Sequence, residues 1–333
     1  MTFSSATIEI DNVAALEAAV ASGAMVPTQI SARAPKGKIF AADLGSSIVT
    51  NATMDADYSV SGAMSETQVT FGWVLESDAS QILTRDVIPG DFAIHPAGAQ
   101  HDARHVSKLA YVAMTSDMER LRAIADFEGI HLDWSMFDLS SMYRPSPQWA
   151  QFSVQFAQQN LTSLETMPKV FLTDTLGSSK ARKMLVDDMI RLLLHSLVQS
   201  DLAEIETQPI SLMGRKIVRD AQQVLAENAE HKLDMDDLCD IAGVSKRTLF
   251  RAFQSYVGMS PARYIKLYRL SRAHIELCHS NKRDTQVGLV AYKWGFHHFG
   301  RFAADYRAIF NQSPSDTLKG PVLNGGKDDH HFA

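Results

Sequence analysis

The hydrophobic and polar positions along the chain change their period near residue 116. Between about residues 24 and 112, short runs rich in Val, Ile, Thr and Phe are separated by turn clusters such as 35–37 and 89–91. Short strands with frequent turn signals are typical of an antiparallel β-barrel or sandwich. Beyond residue 116 the apolar positions recur at helical spacing, most clearly over 181–198. The pattern predicts an α+β chain in which β structure comes first and helices follow.

The same pattern predicts two domains and a tail. Residues 1–205 form the predicted N-terminal domain, in which the β structure is followed by amphipathic helices, and 210–320 form an all-α domain. Residues 321–333 are rich in Asn, Gly and Asp and are expected to be disordered. The helix predicted over 181–198 is apolar over more than one stripe, so it suits either a core helix or a dimer seam.

The all-α part carries one unit twice. Gly243 is followed by an amphipathic stretch that ends at Phe253 and by a Ser-Pro pair at 260–261, and the segment from Gly295 to Phe302 is followed by Ser-Pro at 313–314. A turn glycine, a polar helix start and an amphipathic helix are the pattern of a helix-turn-helix, whose second helix enters the major groove of DNA. Two copies predict two groove contacts, joined by a helix over 261–278 of about 27 Å.

The outward positions of these helices are the predicted DNA contacts. In the first unit Leu249 and Phe253 face inward, and in the second unit Phe299, Phe302 and Tyr306 are expected to do so. Arginine suits a bidentate contact with guanine, and an exposed phenylalanine suits a thymine methyl group. The predicted DNA-binding residues are Ser245, Lys246, Arg247, Phe250, Arg251, Arg263, Arg269, Arg272, His297, His298 and Arg301.

The charge is distributed unevenly between the two domains. The whole chain of 333 residues has a formal net charge of -6, but residues 211–320 hold 17 Lys and Arg against 11 Asp and Glu, while residues 1–210 hold 14 against 25. A basic module joined to an acidic one suits a protein in which only the first meets phosphates. Double-stranded DNA is therefore the predicted partner of the C-terminal third.

The doubled unit resembles that of a known protein family. Residues 212–319 resemble the DNA-binding domain of AraC/XylS-family transcriptional regulators, through Gly243-Val-Ser to Phe253 and Trp294-Gly295-Phe296 to Tyr306. The resemblance implies a regulator, predicted to be an activator, whose N-terminal domain binds a small effector, forms a homodimer, or does both. RNA polymerase is a further partner that such an activator implies.

A short motif in the β region suggests the effector. Arg33 precedes Asp57-Tyr58-Ser59-Val-Ser-Gly62, which is similar to the PilZ-type motif for cyclic di-GMP and to its use in AraC-like activators. A carboxylate and a hydroxyl can read a guanine edge, and arginine can pair with phosphate. The predicted ligand-binding residues are Thr28, Gln29, Arg33, Lys36, Lys38, Asp57, Tyr58, Ser59 and Gly62, with Thr28 and Gln29 as hydrogen-bond donors.

Two alternatives stay open for the N-terminal domain. A sugar or another small effector in the barrel is the main rival to cyclic di-GMP. In a barrel of cupin type, His95, His101 and His105 would instead suggest a metal enzyme joined to a DNA-binding module. Their spacing does not form a compact His-x-His pair with a nearby carboxylate, so neither a metal, another cofactor nor an enzymatic activity is expected.

The remaining sequence features concern the environment of the chain. Cys239 and Cys278 fall at apolar helix positions and are predicted to be reduced core residues. The N-terminus lacks a cationic start followed by an apolar run, and no stretch reaches the length of a membrane span. A cytoplasmic protein with no membrane partner is expected.

Overall fold

The computed structural model describes residues 3–20, 25–83, 85–173, 175–201, 209–227, 235–283 and 285–321. The N-terminal part consists of antiparallel strands and a short helix. In chain order these are β1 (Ser4–Ile10), α1 (Val13–Val20), β2 (Val26–Gln29), β3 (Lys36–Asp43), β4 (Ile48–Asp55), β5 (Tyr58–Ala63), β6 (Val69–Ser77), β7 (Gln81–Ile82), β8 (Arg85–Asp86), β9 (Phe92–His95), β10 (Gln100–His105) and β11 (Lys108–Ser116).

The helices that follow belong first to the N-terminal and then to the C-terminal part. They are α2 (Met118–Glu128), α3 (Pro147–Thr166), α4 (Pro168–Phe171), α5 (Leu176–Val198), α6 (Pro209–Glu227), α7 (Met235–Ala242), α8 (Lys246–Tyr256), α9 (Pro261–His279), α10 (Val287–Lys293), α11 (Phe299–Phe310) and α12 (Pro314–Lys319). Two more strands, β12 (Ser141–Pro145) and β13 (Ser200–Asp201), lie among them. No helix in the described ranges is long and apolar enough to cross a bilayer.

The strands form two sheets that face each other. The first has the order β1-β3-β4-β11-β6-β9-β12-β13, and the second, called the shared sheet below, has the order β2-β5-β10-β7-β8. The predicted α+β class is confirmed. Of the predicted barrel or cupin-like forms, the described part of the chain has the cupin-like one. Its two sheets are not closed into a barrel, and β1 and β13 are the edges of the first sheet.

Side-chain alternation along the strands separates two apolar layers. In β6, Phe71 and Trp73 pack with α2, α3 and α5, whereas Val74 packs with residues between the two sheets. Because successive side chains of a strand point to opposite faces, the first sheet has helices on one face and the second sheet on the other. The interior between the sheets is therefore walled by strands on both sides.

Helix α5 is a core helix. Residues along its inner surface, including Leu185, Met189, Ile190 and Leu193, are at most 5% exposed and pack against the first sheet and α2. Met184 on the opposite surface is 65% exposed. The predicted role of this helix as a core helix is thus confirmed. Its predicted role as a dimer seam, through the exposed surface, stays a prediction.

The C-terminal helices have the predicted boundaries. Pro261 opens α9, and Ser260 caps it by accepting a hydrogen bond from the Arg263 amide at 3.4 Å. Cys239 and Cys278 are buried free thiols, as predicted. Residues 202–208, near the boundary between the two predicted domains, and the predicted disordered tail from 322 onward lie outside the described residues.

Two glycines in the β region provide a matched test of packing. Gly90 and Gly98 have φ angles of 93° and 70°, so alanine is strained at both, by about 1–2 kcal/mol. A Cβ at Gly90 would lie 2.4 Å from the Ala150 Cβ on α3, whereas nothing lies within 4 Å of one at Gly98. We expect Gly90→Ala to lower the free energy of unfolding by about 1–3 kcal/mol more than Gly98→Ala in urea denaturation. Equal losses would show that α3 does not press on this turn.

Candidate nucleic-acid interface and ligand cavity

The first helix-turn-helix consists of α7, a glycine turn and α8. Gly243 has a φ of 63°, and the Val244 amide donates to the Cys239 carbonyl at 2.9 Å, which closes the end of α7. Ser245 then caps α8 by accepting a hydrogen bond from the Thr248 amide at 3.2 Å. Leu249 and Phe253 are fully buried on the inner face of α8. The turn thereby fixes the angle at which α8 leaves the domain.

The outer face of α8 is polar and basic, as the sequence predicted. Arg247 and Arg251 are exposed, and Phe250 between them is 50% exposed. Lys246 is also exposed, and its Nζ lies 2.6 Å from Asp236 Oδ1 on α7. The helix therefore presents two arginines and an aromatic ring to solvent from a rigid base.

The second unit repeats this local structure with α10 and α11. Gly295 has a φ of 81°, and the Phe296 amide donates to the Ala291 carbonyl at 2.8 Å, as in the first unit. Phe302 and Tyr306 are buried, and the predicted contact residues His297, His298 and Arg301 are all exposed.

Phe299 corrects the sequence assignment. It was expected on the inner face of the second recognition helix, but it is 53% exposed. Phe299 begins α11 directly after the N-cap residue His298, and the buried positions of the helix are Phe302, Tyr306 and Phe310. The inward stripe therefore starts one turn later than the sequence pattern suggested, and the exposed ring adds to the outward face.

Helix α9 joins the two units through a buried polar network. Its His274 Nδ1 lies 2.6 Å from the Tyr306 hydroxyl of α11, and that hydroxyl donates to Thr317 Oγ1 of α12 at 2.8 Å. Phe310 stacks on the imidazole with a centroid distance of 4.2 Å. Buried polar groups that satisfy each other in this way favour one relative position of the helices. At about 28 Å, α9 is a rigid spacer between the two reading helices.

The three arginines predicted on α9 have different environments. Arg263 is exposed near the start of the helix, whereas Arg269 is half-buried beside Gly295 and burial lowers its pKa. Arg272 pairs with Glu17 of α1 in the N-terminal part. Of the three, Arg263 is thus the one most open to a phosphate, while Arg272 is engaged between the two parts of the chain.

The residues of the predicted cyclic di-GMP motif lie in different places. Thr28, Gln29 and Ser59 are at most 6% exposed, and they lie where the shared sheet meets the C-terminal helices. The Gln29 amide donates to Ser271 Oγ of α9 at 3.1 Å, and its side-chain amide donates to the Ile309 carbonyl at 3.0 Å. These residues therefore form part of the contact between the two parts of the chain.

The charged members of the motif lie at the end of this contact. Arg33 Nη1 donates to Asp55 Oδ1 at 2.5 Å and to Ser107 Oγ at 2.8 Å. Asp57 accepts hydrogen bonds from the Ser31 hydroxyl and the Ser107 amide. The other members are the exposed Lys36 and Lys38, the buried Tyr58 and the partly exposed Gly62. The Lys38 Nζ lies 3.4 Å from Glu165, and the strand partner of Gly62 is His101.

A cavity of about 600 Å³ lies between the two sheets. Apolar and aromatic side chains supply most of its wall, and polar groups are few. The wall includes Leu16, Ile39, Tyr58, Val60, Thr70, Val74, His95, His101, His105 and Tyr111. The sequence pattern did not identify this set, because its members lie on strands that are distant along the chain.

The three histidines of the β region are brought together on the cavity wall. His101 Nδ1 lies 3.2 Å from His95 Nε2, and His95 Nδ1 lies 3.0 Å from Ser140 Oγ. His105 packs against Tyr58 with the two rings tilted by 48° and their centroids 4.8 Å apart. Among the described residues no group of three or more His, Cys, Asp or Glu is arranged to hold a metal ion.

Burial keeps the imidazoles of His101 and His105 neutral. It lowers the pKa of His101 to about 4 and that of His105 to about 3, with a smaller contribution to the second from the neighbouring His101. Burial also raises the pKa of Tyr111 to about 12. At neutral pH the cavity wall therefore offers uncharged hydrogen-bonding groups.

The shared sheet separates the cavity from the C-terminal helices. In β5, Tyr58 and Val60 line the cavity, while Ser59 between them faces a small cleft shared with Gln222 and Tyr256 of α6 and α8. In β10, His101 and His105 line the cavity, whereas Asp102 and Arg104 face the cleft. Adjacent residues of the same two strands thus contact the cavity and the DNA-binding region.

The buried histidines predict a loss of stability in acid. Because their folded-state pKa values lie below the ordinary value, the unfolded chain binds more protons as pH falls below about 6.5. Each such histidine then costs about 1.4 kcal/mol of unfolding free energy per pH unit until its folded-state pKa is reached. We expect His101→Gln to reduce this slope between pH 6 and 4.5, measured by urea denaturation, whereas the exposed His131→Gln leaves it unchanged. A slope independent of His101 would contradict its neutral burial.

Comparison with known proteins bears mainly on the C-terminal part. Residues 238–320 match the family model of a helix-turn-helix domain. The chain is 36% identical over 103 residues to the probable thc operon regulatory protein of Rhodococcus erythropolis, and 34% identical over 97 residues to XylDLEGF operon transcriptional activator 1 of Pseudomonas putida. These matches cover 31% and 29% of this chain and the same shares of the two relatives, so the chain matches about a third of their length.

One similar solved structure is that of the AraC-like transcriptional activator CuxR. It is 14% identical, covers 82% of this chain and 96% of that chain, and has a TM-score of 0.42. At this TM-score the similarity carries no functional conclusion. The family match and the doubled turn geometry together identify residues 238–320 as a helix-turn-helix region.

Proposed function

We propose that this protein is a transcription regulator, specifically an activator, that reads DNA with α8 and α11 and is controlled by a small molecule in the cavity between its sheets. The observation that carries the proposal is the outward presentation of Arg247 and Arg251 from a buried base, repeated as a second unit at Arg301. The activator role is supported by the names of the relatives that share the DNA-binding region. The protein is a regulator rather than an enzyme.

The two units divide the work of DNA recognition. Arg247, Phe250 and Arg251 read base edges, since arginine pairs with guanine and an apolar side chain contacts a thymine methyl group. Arg263 binds a phosphate, while His297, His298 and Arg301 make the second groove contact. Ser245 and Lys246 at the start of α8 contact the sugar-phosphate backbone of the DNA next to the bases that α8 reads. A spacer close to one helical turn of DNA keeps both units on the same side of the duplex.

The shared sheet couples the cavity to the DNA-binding region. A molecule that displaces Val60 or His105 moves the backbone of β5 or β10, and the same backbone carries Ser59 and Arg104 against the C-terminal helices. The Arg104 guanidinium packs closely against Gly258, since a Cβ at Gly258 would lie within 3 Å of it. A movement of Arg104 toward Gly258 therefore displaces this residue. An effector that binds one sheet position more tightly than another therefore shifts the population of DNA-binding arrangements.

Assembly and cyclic di-GMP belong to the same proposal. The active species is a homodimer that binds paired half-sites and contacts RNA polymerase. Cyclic di-GMP is the second candidate effector, favoured by the exposed cations Arg33 and Lys36 beside Asp57. It would bind at the contact between the domains rather than in the cavity, because Gln29 and Ser59 face the C-terminal helices. Its binding would then require the contact to open.

The DNA-reading roles predict separable losses. Arg251→Ala should weaken binding to a duplex selected from a random pool by about 10- to 100-fold, because one base contact contributes about 1–3 kcal/mol, and should leave random duplex binding nearly unchanged. Arg263→Ala should weaken both duplexes alike and flatten the salt dependence. Fluorescence anisotropy of the full chain measures all four affinities.

The control for these two changes is Arg122→Ala, since Arg122 is exposed on α2 and its guanidinium lies over Trp134. It should bind both duplexes as the unchanged chain does. Equal losses on selected and random DNA for Arg251→Ala and Arg263→Ala would reject the division between base reading and phosphate contact.

The dinucleotide candidate has its own test. If cyclic di-GMP binds at the domain contact, Arg33→Ala should lower its affinity at least tenfold in calorimetry with the full chain, because a phosphate loses a charge-assisted partner. Lys183→Ala is the control, since Lys183 is exposed on α5, which packs on the helical side of the first sheet, away from the motif. No saturable heat at micromolar cyclic di-GMP would remove this ligand and leave the cavity as the effector site.

A further inference from the structure

The chemistry of the cavity wall indicates which class of molecule it takes. We propose that the cavity selects a neutral, largely apolar molecule that carries a hydrogen-bonding hydroxyl, carbonyl or amide group, and that it discriminates against carboxylates and phosphates. This inference rests on the proposed effector role of the cavity. It goes beyond that role because it excludes carboxylates and phosphates as a ligand class.

The first support is the absence of positive charge. No lysine or arginine is among the described residues that line the cavity, and Glu66, which is exposed, is its one charged residue. A permanent anion moved from water into such a space loses its hydration and gains no counter-charge. The arginines and lysines of the N-terminal part named above, Arg33, Lys36 and Lys38, do not line the cavity.

The second support is the histidine arrangement. His95 and His101 share a hydrogen bond in which one imidazole nitrogen donates and the other accepts, and His95 is further held by Ser140. Burial lowers the pKa of His101 to about 4, so this imidazole is uncharged at pH 7. A carboxylate at this position would therefore meet no positive charge.

The third support is what the wall offers instead. His105 is 4% exposed, lines the cavity, and its Nδ1 has no hydrogen-bond partner among the described residues. Tyr58 and Tyr111 add aromatic surface, and Leu16 and Ile39 close the wall from α1 and β3. A neutral molecule with one polar group can pair with a histidine or tyrosine of the wall and fill the apolar remainder. The volume of about 600 Å³ lies within the usual range for drug-sized ligands.

The test compares probes that share a ring system and differ in charge. Calorimetry of the full chain at pH 7 uses 2-naphthalenemethanol and 2-naphthoate, and fluorescence titration uses 1-pyrenemethanol and 1-pyrenecarboxylate. We expect saturable one-to-one binding of at least one alcohol, at least tenfold tighter than its carboxylate. Val60→Trp, which fills the cavity, should abolish binding, whereas Thr53→Trp, on the exposed face of β4, should retain it.

Each outcome decides one part of the proposal. If the carboxylate binds as tightly as its alcohol or more tightly, the ligand class is wrong and the cavity site stands. If no probe binds, the effector role of the cavity fails together with the class, while DNA binding, measured separately, is unaffected. Should Val60→Trp fail to fold, displacement of 1-pyrenemethanol by 2-naphthalenemethanol in the unchanged chain reports whether both occupy one site, and lack of displacement overturns the assignment.

Discussion

The shared sheet is packed on both of its faces, and the rest of the molecule depends on this arrangement. One face meets the cavity through Tyr58, Val60 and the histidines of β10, and the other meets α6, α8 and α9. Because side chains alternate along a strand, a single residue step separates a cavity contact from a contact with the DNA-binding region. Such a sheet cannot shift on one side without altering the packing on the other, since protein interiors are close-packed.

The contact between the two parts of the chain combines apolar packing with a few specific polar bonds. Val13 and Ala14 of α1 belong to the same buried cluster as Leu267 and Leu270 of α9. Asn311 donates to the Ala32 carbonyl at 2.9 Å, and Glu17 pairs with Arg272. These bonds hold α9 and α11, the elements that set the spacing of the reading helices. Control of DNA reading by the N-terminal part therefore needs no long pathway.

Local features of the DNA-binding region could be predicted from the sequence. Turn glycines, Ser-Pro helix starts and apolar stripes are set by residues that are neighbours along the chain, so Gly243, Ser245 and Pro261 were placed correctly. Phe299 has the spacing of the buried positions of α11, which predicts it on the inner face. As the first residue of the helix it is exposed instead. The ion pair of Arg272 with Glu17 could not be predicted, because the two residues are 255 positions apart along the chain.

The N-terminal part was less predictable for the same reason. The α+β order followed from hydrophobic periodicity, but the cavity depends on the pairing of distant strands and on which face of each strand turns inward. The spacing of His95 and His101 suggests loop or metal-binding residues, and only the pairing of β10 with β5 and the approach of β9 show them as a hydrogen-bonded pair on a cavity wall. The cyclic di-GMP motif was likewise identified from spacing along the chain. In the fold its residues are divided between the buried contact with α9, where Gln29 lies, and the exposed edge, where Arg33 lies.

The most direct test of the central claim is hydrogen exchange of the full chain with and without a tightly bound duplex. If the shared sheet couples the two regions, DNA should change the exchange rates of backbone amides in β5 and β10, although neither strand belongs to the reading helices. Changes confined to α7–α12, with β5 and β10 unaltered, would contradict the coupling and leave the cavity and the DNA-binding region as independent modules.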